Sequence, residues 1–397
     1  MHLRSVAALF AALSTTAGIA APAASATAPA VPPPLTVLSQ TGSLGDRDIF
    51  LTPSGAGSTA YAGGPEILSP SGKVVWFDPA PAGETAADLR TQTYDGRRVL
   101  TFWEGTGLGS LSTGTDYIYN DRYQQIATVN AGNGLSADGH EFLITPWNTA
   151  LILAYQQSTA DLTSIGGPSD QAVINGVVQE IDIRTGKVLF QWNSAEHVPY
   201  SQSEQALPSS ASSPWDWFHI NAVKVDRNGD RLIDARNTWT TYEVDPRNGK
   251  IVWQLGGKAS SFSLRAAPGQ SLNDAGDIFA WQHDPEPLGN SEYSFFDNEA
   301  GGIANTGTDV SSEFPESRAV KVRLNFRDHT ATLLQSNDQP ESQLASSQGD
   351  AQPLPGGGEF VGWGSLPYVS EFDARGNLVF NAELPTGWNT YRAYLQR

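Results

Sequence analysis

Three histidines carry most of the chemistry this sequence offers: His140 in "SADGHEFLITP", His219 in "WDWFHINAV" and His283 in "FAWQHDPEPL", 79 and 64 residues apart. Imidazole titrates nearest neutrality, so it can act as nucleophile, base or acid at pH 7. Asn221 stands two positions after His219, which on a strand places both side chains on one side. Arg236 follows a turn centred near Asn228-Gly229, where a returning strand brings it opposite Asn221. Arginine presents a planar fork of donors suited to sulfate, phosphate or carboxylate oxygens. Taken singly, a His beside Trp and Phe reads as a packing residue and an Arg as a surface one. The matching spacing of three His is what favours a shared oxyanion site. Of the other histidines, His197 in "WNSAEHVPY" is read as a hydrogen-bonded structural residue and His329 in "FRDHTA" as a solvated turn; His2 belongs to the N-terminal leader.

Several chemistries are excluded. With no Cys there are no disulfides, thiolate nucleophiles or Cys-ligated metals. There is no GxSxG elbow, "HEFLI" lacks the second His of HExxH, and no GxxxxGK[ST] loop cradles a nucleotide, so no cofactor is expected. "DRNGDRLID" departs from a calcium loop because Arg231 stands where Gly is required, and it is read as a turn; no metal is expected. A net charge of −18 argues against nucleic-acid or anionic-membrane partners, so an anionic ligand needs a local positive island.

The elements that position these residues are strands. Gly 39, Pro 25 and Trp 11 against a single Met favour short strands, turns and aromatic cores. "LSPSGKVVWFDP" (68–79), "IDIRTGKVLFQW" (181–192), "YEVDPRNGKIVWQL" (242–255) and "SEFDARGNLVFNAEL" (370–384) each read as a hairpin whose turn holds a glycine. Gly72, Gly186, Gly249 and Gly376 are 114, 63 and 127 residues apart, one spacing of about 57 to 63 if single units are skipped. The pattern predicts an all-β, six-bladed β-propeller whose active site lies at the central channel, where residues distant in sequence meet. A β-sandwich is the competing fold. Residues 1–26 read as a signal peptide ending at Ala24-Ser25-Ala26, 27–40 as a Pro/Ala-rich linker and 41–397 as the propeller domain. A secreted, extracellular protein with no membrane attachment after cleavage is expected.

The stretches "TQTYDGRRVLTFWEG" (91–105), "AGNGLSADGHEFLITPWNTALILAY" (131–155), "WDWFHINAVKVDRNGDRLIDARNT" (215–238), "VDPRNGKIVWQLGGKASSF" (244–262), "WQHDPEPL" (281–288) and "SFFDNEA" (294–300), with "FVGWGSLPYVSEFDARGNLVF" (360–380), resemble the secreted arylsulfotransferase-like family of β-propeller enzymes. The resemblance implies an aryl sulfate donor, a phenolic acceptor, a sulfohistidine intermediate and no nucleotide donor. By motif, His283 would be the nucleophile, His219 and Asn221 the H-x-N pair, Arg236 the arginine and His140 the early histidine. The family's late Thr has no match. Trp215, Trp217, Phe218 and Trp281 are expected to wall the pocket for aryl rings, with packing between blades as their alternative role. The rival reading of the whole chain is a non-catalytic propeller that binds an anionic or aromatic ligand. The sequence does not address oligomeric state.

Overall fold

The protein is described by a computed structural model covering residues 30–55, 60–301 and 314–397. The expected signal peptide and the first residues of the expected linker lie outside the described residues. Six sheets form the blades of a propeller, each with four antiparallel strands, and Ser263–Ala266 adds to the outer edge of the fifth in parallel with Thr330–Asp338. Blade 1 orders Trp388–Gln396, Asp48–Gly55, Glu66–Leu68 and Val74–Phe77 from its first strand outward. The first strands of blades 2 to 6 are Thr85–Tyr94, Phe142–Ile144, Ile220–Val225, His283–Gly289 and Asp350–Pro353.

The two ends of the chain close the ring. The C-terminal strand Trp388–Gln396 pairs with Asp48–Gly55 to open blade 1, and Thr36–Gln40 adds to the outer edge of blade 6 by pairing with Leu378–Glu383. Residues 36–40, expected as linker, are therefore part of the sheet. Their exposed "TVLSQ" carries no inward apolar face from which a strand could be read.

All four glycine hairpins join the third and fourth strands of a blade, in blades 1, 3, 4 and 6. Gly72, Gly186, Gly249 and Gly376 have φ of 75°, 71°, 70° and 81°, the left-handed region that a glycine enters without a Cβ clash. Blades 2 and 5 make the same turn with Tyr123 (φ 57°) and His329 (φ 49°) in that place. There the turn is held by its first residue: Asn120 Oδ1 accepts from the N–H groups of Arg122 and Gln124, and Asn325 Oδ1 from those of Arg327 and Asp328. These are the two units missing from the glycine spacing.

Blades are buried on both faces. Every residue of Arg231–Ala235 and Thr240–Val244 in blade 4 is buried, and the wedge between blades 3 and 4 is filled by Trp192, Trp217, Phe218, Ile220 and Tyr242. Gly176 permits that approach, since a Cβ there would meet Phe218 and Ile220 at 2.8 Å.

Candidate active site

His140, His219 and His283 stand at the N-terminal approach to the first strands of blades 3, 4 and 5: two residues before Phe142, one before Ile220, and at the start of its own strand. Three successive blades thus deliver one imidazole each to the same end of the channel. All three line one cavity of ≈ 980 Å³, together with Asp216, Arg236, Ile174, Leu207, Trp215 and the segment Ser346 to Gln348.

Two of the imidazoles form dyads with carboxylates. Asp138 Oδ1 accepts both the backbone N–H of His140 (3.0 Å) and its Nδ1–H (2.5 Å). Asp216 holds His219 with both oxygens, Oδ1 accepting the backbone N–H at 3.1 Å and Oδ2 the Nδ1–H at 2.5 Å. A carboxylate on Nδ1 fixes the tautomer and leaves Nε2 as the working nitrogen. The two rings meet edge to face at 5.1 Å. Tyr391 braces His140 from behind, donating its hydroxyl to the His140 carbonyl at 3.0 Å, and the Tyr155 ring packs against both imidazoles. Burial lowers the His219 pKa against the opposing pull of Asp216.

His283 has a neutral partner instead. The Asn298 amide donates to the carbonyls of Ala345 (2.9 Å) and Gln348 (3.0 Å), which turns its Oδ1 toward His283 Nδ1 at 2.7 Å. An amide oxygen can only accept, so Nδ1 bears the proton and Nε2 holds a lone pair. That lone pair meets the backbone N–H of Gln348 at 3.2 Å. Burial, then the nearby Arg236 cation, holds the His283 pKa well below the ordinary value, so the ring is neutral at pH 7.

Arg236 is the cation of the cavity. Its Nη2 donates to the carbonyls of Ala300, Gly301 and Ser346 and its Nη1 to Asn237 Oδ1, while Nε–H has no hydrogen-bond partner among the described residues. The guanidinium lies over the Trp281 ring at 4.9 Å. Among the described residues no carboxylate comes within ion-pair distance of it. Burial lowers its pKa to about 10, which leaves it charged at neutral pH. A buried, positioned, unneutralised guanidinium is a favourable seat for an oxyanion.

Four residues expected at the site are placed elsewhere. Asn221 falls in a bulge, where the register passes from Ile220↔Ala235 to Ala222↔Asp234, and His219 has φ 48°. The two-residue alternation between them is broken, so they do not share a face. Asn221 instead donates to the Gln282 carbonyl at 2.9 Å, fully buried below the cavity. Arg236 lies opposite His219 rather than Asn221, in a 3-10 turn after its strand, with its N–H on the His219 carbonyl at 3.0 Å. Trp217 and Phe218 are core residues: the Trp217 indole donates to Asn175 at 3.0 Å and packs on Tyr200, and Phe218 stacks on Tyr242. Trp281 lies behind Arg236, against Trp239. Of the expected aromatic wall only Trp215 lines the cavity, joined by Leu108, Ile174, Leu207, Pro208 and Pro214.

The outlying histidines are accounted for. His329 is the exposed turn residue of blade 5. His197 stacks on Trp192 at 5.0 Å, so its structural role is one of ring packing rather than hydrogen bonding. Asp138, Asp216, Asn298 and Gln348 were not singled out in the sequence. For the two acids a local signal exists, an Asp two or three residues before the His, the spacing at which one carboxylate reaches both ring and backbone. Asn298 sits just past the strand partner of His283, Phe296.

Below the cavity the channel is closed by charge. Arg392 of blade 1 contacts Glu141 and Asp284 at 3.2 Å each and Asp88 at 3.3 Å, and donates to the Asn221 carbonyl at 3.2 Å. Lys224 joins Glu141, Asp284 and Glu286 at 3.0, 2.7 and 2.8 Å. Burial alone would raise the Glu141 pKa, but Arg392, Lys224 and Arg90 hold it below the usual carboxylate range. Among the described residues no group of His, Asp and Glu is arranged to hold a metal ion.

Residues 90–384 match the family described as Arylsulfotransferase (ASST). No curated protein matches the chain. Among solved structures, a protein of unknown function from Bacteroides caccae is 13% identical with a TM-score of 0.50, the match covering 89% of this chain and 99% of that one. The β-propeller domain of Myceliophteria thermophila Cps50 (Swd1) is 11% identical with a TM-score of 0.38, covering 88% and 89%. A Lactobacillus plantarum protein is 10% identical with a TM-score of 0.41, covering 88% and 100%.

Proposed function

The chain belongs to the arylsulfotransferase (ASST) family, and from that premise we propose that it moves a sulfuryl group from an aryl sulfate ester to a phenol through a sulfohistidine on His283, without a nucleotide donor. The observation that carries this reading is the pairing of a neutral imidazole, locked as its Nδ1–H tautomer, with an unneutralised arginine on one cavity.

Sulfuryl transfer, like phosphoryl transfer, passes through a loose transition state with charge spread over the equatorial oxygens. Positioning and cationic donors then supply most of the catalysis. In the first half-reaction the Nε2–S bond of His283 forms as the S–O(aryl) bond breaks. As the phenolate leaves, the His219 imidazole, neutral in the resting enzyme, relays a proton to it from solvent through Nε2. In the second half the same imidazole takes the acceptor phenol's proton while the new O–S bond forms and N–S breaks, and passes it back to solvent. His283 and the dyad both return to their starting states. Arg236 holds the sulfuryl oxygens throughout, and the apolar wall from Leu108 to Trp215 suits aryl rings. A covalent intermediate implies ping-pong kinetics.

The test is intact-mass measurement after incubation with an aryl sulfate. One SO₃ adduct, discharged by phenol and missing from His283→Ala, is the expected result. Tight aryl sulfate binding with neither adduct nor released phenol would overturn turnover in favour of a binding module.

A further inference from the structure

The groups that face the cavity are unbalanced in charge. Among the described residues Arg236 is its cation, with the Nη2 hydrogens bound to three carbonyls and the Nε–H without a partner. Opposing it are Asp216 on the cavity wall and Asp138 behind His140. His219 and His283 are neutral at pH 7, and Tyr155 and Tyr391 have pKa values raised by burial. The remaining donor aimed at the His283 Nε2 is an uncharged backbone N–H, that of Gln348. Among the described residues lining the cavity there is no Lys and no second Arg. Below lie Arg392 and Lys224, already contacted by Asp88, Glu141, Asp284 and Glu286.

We infer that this cavity accepts a monoanionic oxyanion group and excludes a dianionic one, so that it separates sulfuryl from phosphoryl esters by charge rather than by shape. The inference rests on the reading of the cavity as the sulfuryl site. The two tetrahedral groups present the same oxygens to Arg236, but a phosphate monoester at neutral pH carries close to two negative charges. Asp138 and Asp216 are turned onto the Nδ1–H groups of their own imidazoles, so the one guanidinium that meets the ligand can compensate only one of its negative charges. The second must be cancelled by a proton, which arrives either on the ligand or on a dyad imidazole. The thermodynamic consequence is the same in both cases: a dianion brings one proton with it, and a monoanion brings none.

Calorimetric titrations of phenyl phosphate and benzenesulfonate, neither of which can donate a sulfate ester, test this between pH 5 and pH 8. Both ligands meet the same enzyme groups, so the ratio of their dissociation constants cancels titrations common to the two. With the second phosphate pKa near 6, the ratio should be level below pH 6 and rise about tenfold per pH unit above it. At pH 8 phenyl phosphate should bind roughly 50-fold worse relative to benzenesulfonate than at pH 6. Ser347→Lys, which adds a cation to the cavity wall beside Gln348, should flatten that rise. A level ratio across the whole range, or a slope unchanged in Ser347→Lys, would overturn the inference. Failure of benzenesulfonate to bind at any pH would instead overturn the reading of the cavity as an oxyanion site.

Discussion

Replacing Asn298 with leucine removes the acceptor that fixes the His283 tautomer while keeping roughly the same volume. In the wild type the Nδ1–H donates to Asn298 Oδ1 at 2.7 Å, and the amide is oriented by the carbonyls of Ala345 and Gln348 at 2.9 and 3.0 Å. As the Nε2–S bond forms, positive charge builds on the ring and that hydrogen bond strengthens, so it favours the transition state over the resting enzyme. A buried donor left without its acceptor costs about 1–3 kcal/mol, which corresponds to a roughly 5- to 150-fold slower first half-reaction. Donor KM should change little, because the proposed reaction assigns the sulfuryl oxygens to Arg236.

The same hydrogen bond raises the His283 pKa against the lowering by burial and Arg236. Its loss therefore moves the acid limb of the rate profile to lower pH. The assays are the pre-steady-state burst of phenol from an aryl sulfate as a function of pH, and the ring-nitrogen NMR shifts of His283. In the wild type these shifts should report Nδ1–H, and in Asn298→Leu a mixture of tautomers. A wild-type burst with Nδ1–H retained, or an acid limb displaced upward, would refute the reasoning. General loosening of the fold would slow the burst without shifting the limb downward.

Other expectations separate packing from chemistry. Trp217→Leu should lower stability by about 3 kcal/mol, as large-to-small core changes do, and leave donor KM unchanged, whereas Leu207→Ala should raise KM severalfold with stability preserved; steady-state kinetics beside urea unfolding distinguishes them. Arg392→Met leaves Asp88, Glu141 and Asp284 without a shared partner and should destabilise by about 3–5 kcal/mol, with Arg392→Lys recovering part of the loss in the same unfolding measurement. Glu66, buried with no hydrogen-bond partner for either carboxyl oxygen among the described residues, has its pKa raised by burial from 4.5 to about 8. The folded state keeps that proton where the unfolded chain has lost it, so Glu66 contributes stability below pH 4.5 that is lost as pH rises from 4.5 to 8. Glu66→Gln should remove this loss, and its melting temperature should exceed that of the wild type by several degrees at pH 8 but only slightly at pH 4.5.

The architecture was legible because a turn of fixed chemistry recurs. Four glycines in the outer hairpins are enough to count blades, and the two missing units use Tyr123 and His329 in a conformation that glycine usually supplies. The three histidines were legible for a related reason, since one imidazole per blade at the start of a first strand leaves a blade-length spacing. The fate of their neighbours was not. Whether Asn221 faces the cavity depends on a one-residue bulge and on the positive φ of His219, neither of which a period of two can express. An aromatic beside a cavity His looks the same in sequence whether it lines the cavity, as Trp215 does, or fills the wedge between blades, as Trp217 does. The strand Thr36–Gln40 escaped notice because its partner, Leu378–Glu383, comes from the far end of the chain.

A propeller collects residues from separate blades, but collection alone does not align them. Here each histidine is followed within two residues by one that meets Arg392: Glu141 after His140, Asn221 after His219, Asp284 after His283. Arg392 touches all three, two through their carboxylates and one through its backbone carbonyl, and its neighbour Tyr391 holds the His140 carbonyl. The guanidinium comes from the strand that closes the ring at the C-terminus. Closure of the propeller and the mutual placement of the three imidazoles are therefore fixed by the same residues. Buried ions cost desolvation wherever they are placed. At the axis that cost is offset by attractions among strands from blades 1 to 5, which holds the floor of the cavity to one arrangement.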